Sequence, residues 1–323
     1  MLDKTKYTRI GFFIGLSALY LSMTFIDNES KTLSSEMASL GMAIPDWLKP
    51  IYTSDEIELG RQLVEQGSLP GKKRVSAFFV CTDCHLNQRE KATFNGSTAK
   101  ENLNYLKQHD LDVLPATSFY GMINQTEYYS GDYIKKYGDL VLDARNSLEG
   151  AIQLCAQECS QGRKLTSEEV TYTLAYLKSK ELMLSDLFER SNDFTNYQNL
   201  NLGDKKEFIK QNFKSKRQNN FGSTNLSEIK KLSGDSNNGK YIFQHSCMSC
   251  HKNERVSFYN IDESALSKKD LLKKLNNKEN ELMSIIRYGT QPLPGSKAYM
   301  PLFTNEKLSD QQVADLIAYI NEN

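Results

Sequence analysis

The sequence predicts an all-α protein in which two small helical bundles follow an N-terminal transmembrane helix. Three observations carry this expectation. The pentapeptide Cys-x-x-Cys-His occurs twice, as Cys81-Thr82-Asp83-Cys84-His85 and as Cys247-Met248-Ser249-Cys250-His251. The segment Leu165–Leu177 aligns without gaps on Leu308–Ile320, each with apolar residues at helical spacing behind a Ser, Thr or Asp cap. An uncharged apolar run, Ile10–Ile26, follows Lys4, Lys6 and Arg9. A chain of 323 residues has room for two such bundles at the usual size of about 150 residues per domain.

Taken in order, residues 1–9 read as a cytoplasmic N-terminus and 10–26 as the membrane anchor. The run would span about 25 Å as a helix, enough for a thin bilayer. Basic residues before it hold the N-terminus inside. A cleaved signal peptide competes with this reading, but Asp27, Asn28, Glu29 and Ser30 follow the run instead of a small-x-small site. The expected location is the inner (cytoplasmic) membrane, single-pass, with the remainder facing the periplasm. Residues 27–50 form a polar stalk ending in Pro45, Trp47 and Pro50.

The first bundle, 51–190, opens with a helix over Ser54–Val64 that Ser54 or Asp55 can cap. A loop over Gly67–Val80 leads to the first motif. The tyrosine-rich stretch Tyr120–Tyr137 is a loop packed over the prosthetic group or a docking surface, and Leu165–Leu177 closes the bundle. Residues 191–235, rich in Asn, Lys, Ser and Gly, are a linker with one short helix near Asp204–Phe213. The second bundle, 236–323, has a helix before its motif over Asn238–Cys247 and closes with Leu308–Ile320.

The motif has a chemical reason. Two thiols at this spacing add across the two vinyl groups of one porphyrin, and the adjacent imidazole reaches the iron. A zinc site would need four ligands close together, and a thioredoxin-like pair would need alternating strands and helices. Two covalently bound haem c groups are therefore expected, attached at Cys81 and Cys84 and at Cys247 and Cys250, with His85 and His251 on the irons. Basic and acidic residues balance at 40 each, so nothing points to nucleic acid. A hydrophobic fraction of only 39% fits bundles whose porphyrin supplies part of the core.

The order Gly239, Phe243, Cys247, Cys250, His251, then Met300-Pro301-Leu302-Phe303, then the closing helix resembles a class I cytochrome c domain. The resemblance covers most of residues 236–323. It implies that His251 is the proximal ligand and Met300 the sixth ligand. His245 precedes Cys247 by two positions and reads as a packing residue.

The first bundle has Gln157 where the second has Met300. Cys155, Cys159, Met122 and His109 stand as candidates for its sixth ligand. The segment Ile152–Arg163 resembles the region of diheme thiosulfate dehydrogenases in which a cysteine binds the first haem, with Gly162 seven residues after Cys155. That resemblance implies Cys155 as the ligand. Cys155 and Cys159 are four apart and share a helix face, so a disulfide between them is a further possibility.

The functional expectation is a membrane-anchored diheme c-type cytochrome carrying electrons in a periplasmic respiratory chain. Its partners would be other cytochromes, a quinol-oxidising complex or a terminal oxidase. The alternative is a thiosulfate dehydrogenase-like oxidoreductase acting on a sulfur compound at the first haem, with Arg145, Arg163 and Lys164 available to an anion. A diheme peroxidase would need acid–base residues around an open haem, and no such set is visible. Whether the protein is an enzyme stays open at this stage.

Overall fold

A computed structural model describes residues 31–322, apart from 92, 95, 96, 189, 190, 217, 218, 253–255, 278 and 293–298. Among the described residues the fold is helical, with no strand and a single isolated bridge, Thr32 to Met183. In chain order the helices are α1 (Leu33–Ser39), α2 (Ser54–Gln66), α3 (Ala99–Gln108), α4 (Asp132–Tyr137), α5 (Leu148–Leu154), α6 (Ser167–Lys178) and α7 (Ser191–Gln198). Then come α8 (Leu202–Asn212), α9 (Leu226–Ile229), α10 (Ser236–Ile242), α11 (Met248–His251), α12 (Ala265–Leu275), α13 (Glu281–Tyr288) and α14 (Asp310–Asn321).

The expected membrane anchor needs correction. Residues 10–26 lie outside the described residues. Among the described residues no helix is long and apolar enough to cross a membrane. The longest, α2, has 13 residues, about 20 Å against a hydrocarbon core of about 30 Å. The transmembrane helix therefore leaves the fold class, and the single-pass inner-membrane location and membrane attachment inferred from it leave with it.

The chain divides into two compact units, Met1–Ile44 with Leu182–Phe213, and Pro45–Glu181 with Lys214–Asn323. In the first unit the chain after Glu181 returns to α1, where Leu33 N donates to Leu182 O at 2.8 Å. Buried Glu36 accepts from Lys31 and from the Tyr197 hydroxyl. Phe188 stacks on Phe208 at 5.1 Å.

The second unit contains both Cys-x-x-Cys-His motifs, each beside a pair of crossed helices. Helix α2 packs against α6, and α10 against α14. The crossing geometry is the same in both. A Cβ at Gly60 would fall 2.0 Å from Tyr172 O and 2.8 Å from Tyr176 Cβ, and one at Gly239 would fall 2.0 Å from Asp315 O and 2.8 Å from Tyr319 Cβ. These are equivalent positions in the gapless alignment of the closing helices. Only glycine permits backbones this close.

Helices α6 and α14 also begin and end at equivalent residues. Each starts with a reciprocal capping box, Thr166 with Glu169 and Ser309 with Gln312. Helix α2 is capped one residue earlier than expected, because Thr53 Oγ1 accepts from Glu56 N at 3.2 Å while Glu56 returns the bond. Gly67, at φ 79°, ends it.

Apolar packing does not follow chain order. One core gathers Leu63, Val64, Phe119, Ile123, Leu148, Val170, Leu174 and Leu177. The other joins Ile242, Phe243, Leu271, Met283, Val313 and Leu316 to Leu103, Leu106, Leu111 and Val113 from α3 and the turn after it. Tyr241 Oη donates to Leu106 O at 2.9 Å and Leu111 O at 2.7 Å, and Val113 N donates to His245 O at 2.9 Å. The segment after the first motif is thus built into the core beside the second.

Candidate functional site

The first motif begins in a short 3-10 turn, Cys81–Asp83, after the 67–80 loop. The second ends a helix. Residues 236–242 continue into a π-turn, Phe243–Cys247, and then α11, so Cys247, Cys250 and His251 follow on consecutive turns. The two histidines are nevertheless held in the same way. His85 Nδ1 lies 2.6 Å from Thr117 O, and His251 Nδ1 lies 2.7 Å from Tyr259 O. A carbonyl only accepts, so Nδ1 carries the proton in both rings and Nε2 is left with its lone pair, the tautomer a metal-ligating imidazole needs. Phe119 stacks on His85 at 4.7 Å and fixes the ring plane.

These residues keep part of their surface accessible. Cys81 is exposed, and Cys84, His85, Cys247, Cys250 and His251 are half-buried. All the same, protein surrounds them densely enough to move their protonation. Burial raises the Cys81 thiol to about 11 and Cys247 to about 12, and lowers His85 to about 4. Accessible surface on residues that protein otherwise crowds is compatible with a flat apolar group placed against them. Among the described residues no cysteine forms a disulfide, so both thiol pairs have the state that thioether formation requires. The residues fit haem c.

The two motifs adjoin. Cys250 Sγ is 4.0 Å from Asp83 O. After its own burial, the Cys250 sulfur is the largest influence raising the Cys84 thiol. A largely buried ion pair, Lys307 with Glu90, joins the chain just beyond the first motif to the approach to α14. Gln312 Nε2 donates to Ala99 O at 3.1 Å across the same seam.

Met300 is half-buried against the second core. Its loop is pinned on both sides: Met300 N donates to Thr290 Oγ1 at 2.7 Å, and Thr290 N to Met300 O at 2.9 Å. Gly289, at φ 59°, lets the chain pass where a Cβ would meet Met300 O at 2.4 Å. Arg287, fully buried, donates to Leu308 O at 2.6 Å, Phe303 O at 3.3 Å and Asp310 Oδ1 at 2.6 Å. It thereby ties the chain after Met300 to the start of α14. Sequence reasoning missed this arginine, and nothing in its spacing marks it.

In the first region Gln157, the counterpart of Met300, is exposed. Of the four candidates for a sixth ligand, His109 is exposed at the end of α3, its ring tilted against Tyr105 with centroids 4.3 Å apart. Met122 lies in a 3-10 turn packed on the first core. Cys155 and Cys159 bound a π-turn after α5, and both lie close enough to the first motif for their charges to act on it. The structure therefore brings the cysteine pair, not His109, to the first motif.

The tyrosine-rich stretch packs inward around this pair. The neighbouring Cys155 thiol, with the hydroxyls of Tyr299 and Tyr129, holds the Cys159 thiol below its usual range against the opposing effect of burial. Cys159, with burial, pushes Cys155 well up. Tyr137 Oη lies 3.5 Å from Tyr299 Oη, and Tyr133 stacks on Tyr137 at 6.2 Å. Tyr299 directly precedes Met300, so the two distal sides share one hydroxyl cluster. His245, read as a packing residue, stacks on Tyr241 at 4.1 Å, with Asp112 Oδ1 at 3.2 Å.

Residues 234–320 match the family described as cytochrome c oxidase, cbb3-type, subunit III. The match runs from the approach to α10 into α14 and includes Cys247, Cys250, His251 and Met300. This stretch is a cytochrome c domain, and such a domain carries covalently bound haem c and transfers electrons. The first motif lies outside the matched residues. No curated protein and no solved structure matches the chain.

Proposed function

We propose, from the premise that residues 234–320 are a cytochrome c domain, that the chain is a diheme c-type cytochrome passing single electrons between redox partners. The observation that carries this reading is the adjoining pair of motifs, each with its histidine Nδ1 spent on a backbone carbonyl. Bound haem supplies the one-electron iron couple. The chain's own residues do the rest. Four cysteines would hold two porphyrins, and His85 and His251 would offer Nε2 to the irons. Met300 serves as sixth ligand in the second site, and a cysteine thiolate, Cys155 by the family resemblance, serves in the first. A thioether favours ferrous iron and a thiolate favours ferric iron, so with these ligands the second site would have the higher potential. Other cytochromes, a quinol-oxidising complex or a terminal oxidase are fitting partners.

A second reading, a sulfur-compound oxidoreductase of thiosulfate dehydrogenase type, is favoured by the cysteine pair and its hydroxyl donors at the first motif. One pair of measurements tests both. The denatured protein should retain two haem masses, and one or none would end the diheme reading. Purified oxidised protein should stay oxidised on mixing with thiosulfate, and rapid bleaching to the ferrous spectrum would make it an enzyme.

A further inference from the structure

Between the two motif regions lies one charge pair that neither haem attachment nor iron ligation uses. We propose that Glu90 and Lys307 are positioning residues that set the reduction potential of the first haem, with Lys307 supplied by the stretch that matches the cytochrome c domain. The inference rests on the diheme reading. Lys307 Nζ meets a Glu90 carboxylate oxygen, and the two side chains keep only 14% and 11% of their surface exposed. Burial pushes the Glu90 carboxyl up, but Lys307 outweighs it, so the carboxyl stays below the usual range and the pair is ionic.

Backbone bonds place the pair beside the first histidine. Ala116 N donates to Cys84 O at 3.1 Å, His85 Nδ1 to Thr117 O at 2.6 Å and Phe119 N to Leu86 O at 2.8 Å, while Ser118 Oγ donates to Gln88 O. The chain from Cys84 to Gln88 is thus strapped to 116–119, and Glu90 follows the end of that strap. Leu86, next to His85, lines one cavity with Glu90 and Lys307. Lys91, Asp112 and Glu306 are further charged groups on its wall. Asp112 lies 3.2 Å from His245 Nδ1, and Glu306 accepts from Asn220 N at 3.2 Å. At the opposite end of the pair, Lys307 N donates to Thr304 O at 3.0 Å, and Leu308 O accepts from Arg287 at 2.6 Å.

Stability alone does not account for the pair. Moving two charges out of water costs much of what their attraction returns, and apolar replacements of buried pairs are often neutral or better. The seam is already joined by Gln312 Nε2 on Ala99 O and by the apolar contacts of α3. What a buried pair does supply is a field that salt screens little. Lys307 and Glu90 act on the His85 ring in opposite directions, and a charge that reaches the imidazole also reaches the iron that ring would hold. A cation there favours the added electron of ferrous iron, and an anion opposes it.

The test is a spectroelectrochemical titration of full-length haem-loaded protein in mildly alkaline buffer, where an unpaired carboxylate keeps its charge. The first haem's step is the one missing when Cys81→Ser and Cys84→Ser are combined. Glu90→Gln, which leaves Lys307 unpaired, should raise that potential, and Lys307→Met, which leaves Glu90 unpaired, should lower it. Each shift should be about tenfold in the reduction equilibrium constant, or 59 mV for one electron. Glu90→Gln combined with Lys307→Met should bring the potential most of the way back. Shifts of the same sign, as loosening of the site would give, or no shift at all, would overturn the proposal. A buried charge without its partner can unfold a protein, so the reversed pair, Glu90→Lys with Lys307→Glu, is measured beside the others. It keeps both charges partnered and should lower the potential, because Lys307 acts on His85 more than Glu90 does. An unmoved potential in the folded reversed pair would overturn the proposal by itself. Fewer than two haems in the denatured mass would instead overturn the diheme reading.

Discussion

The two Cys-x-x-Cys-His regions share a frame and differ in the segments that close over them. Helices α2 and α6 cross as α10 and α14 do, on a glycine, a backbone carbonyl and a tyrosine Cβ at the same separations. Yet the first region closes over its motif with a cysteine-bearing π-turn and a tyrosine cluster, and the second with a methionine loop tied down by Arg287. The frame is fixed by backbone contacts that tolerate no added atom, so it survives duplication. The distal segments hang on loops, whose composition can change without disturbing the crossing. Ligand identity, and with it redox behaviour, is the part of such a domain that is free to diverge.

The largest expected effect breaks the shared frame. Gly60→Ala and Gly239→Ala each put a Cβ 2.0 Å from a carbonyl oxygen of the partner helix, and the helices must part. Each change should cost about 3 kcal/mol or more in urea unfolding. Tolerance of one but not the other would mean that the crossings carry unequal weight.

Next comes the difference in ligands. Met300→Ala should abolish the weak near-infrared band of a methionine-ligated ferric haem and leave the first haem's electron paramagnetic resonance signal alone. Cys155→Ala should do the reverse, removing a low-spin signal of narrow g-spread that Cys159→Ala leaves in place. If only Cys159→Ala removes it, the ligand sits one turn later, and the hydroxyl donors on Cys159 take on a different meaning.

The smallest effect sharpens the comparison at the helix caps. The buried Glu169 carboxylate, with Arg163 as its strongest partner, is held below its usual range, while the equivalent Gln312 cannot titrate. A carboxyl with a depressed folded pKa adds stability above its ordinary value of 4.5, and that stability disappears as pH falls through the lower folded value. Glu169→Gln should therefore cost about 1 kcal/mol at neutral pH and progressively less as pH falls below 4.5 toward the lower folded value. A constant difference in denaturant midpoint across that range would show that the ion pair contributes nothing.

Much of this was legible in the chain. Cys-x-x-Cys-His fixes thiol spacing and imidazole position locally, so both motifs can be read from five residues each, and the second falls in the stretch that matches a cytochrome c domain. The closing helices were visible because capping and apolar period are local, whereas the crossing at Gly239 emerged only from the structure. The membrane anchor, by contrast, rested on an apolar run that lies outside the described residues, and none of the described helices replaces it.

What sequence alone determined, then, was the chemistry carried by short spacings: two thiol pairs, two imidazoles and two capped helices. Only the tertiary structure decided which distant groups face them. Thr117 and Tyr259 supply the carbonyls that set both histidine tautomers, and a backbone oxygen has no signature in residue type. Tyr299 meets Cys159, and Arg287 braces the Met300 loop, through contacts between segments far apart in the chain. The apolar face of α3 settled in the core beside the second motif. Amphipathic periodicity says that a helix has a face to bury; the place where it is buried is set by whichever core the folded chain leaves open.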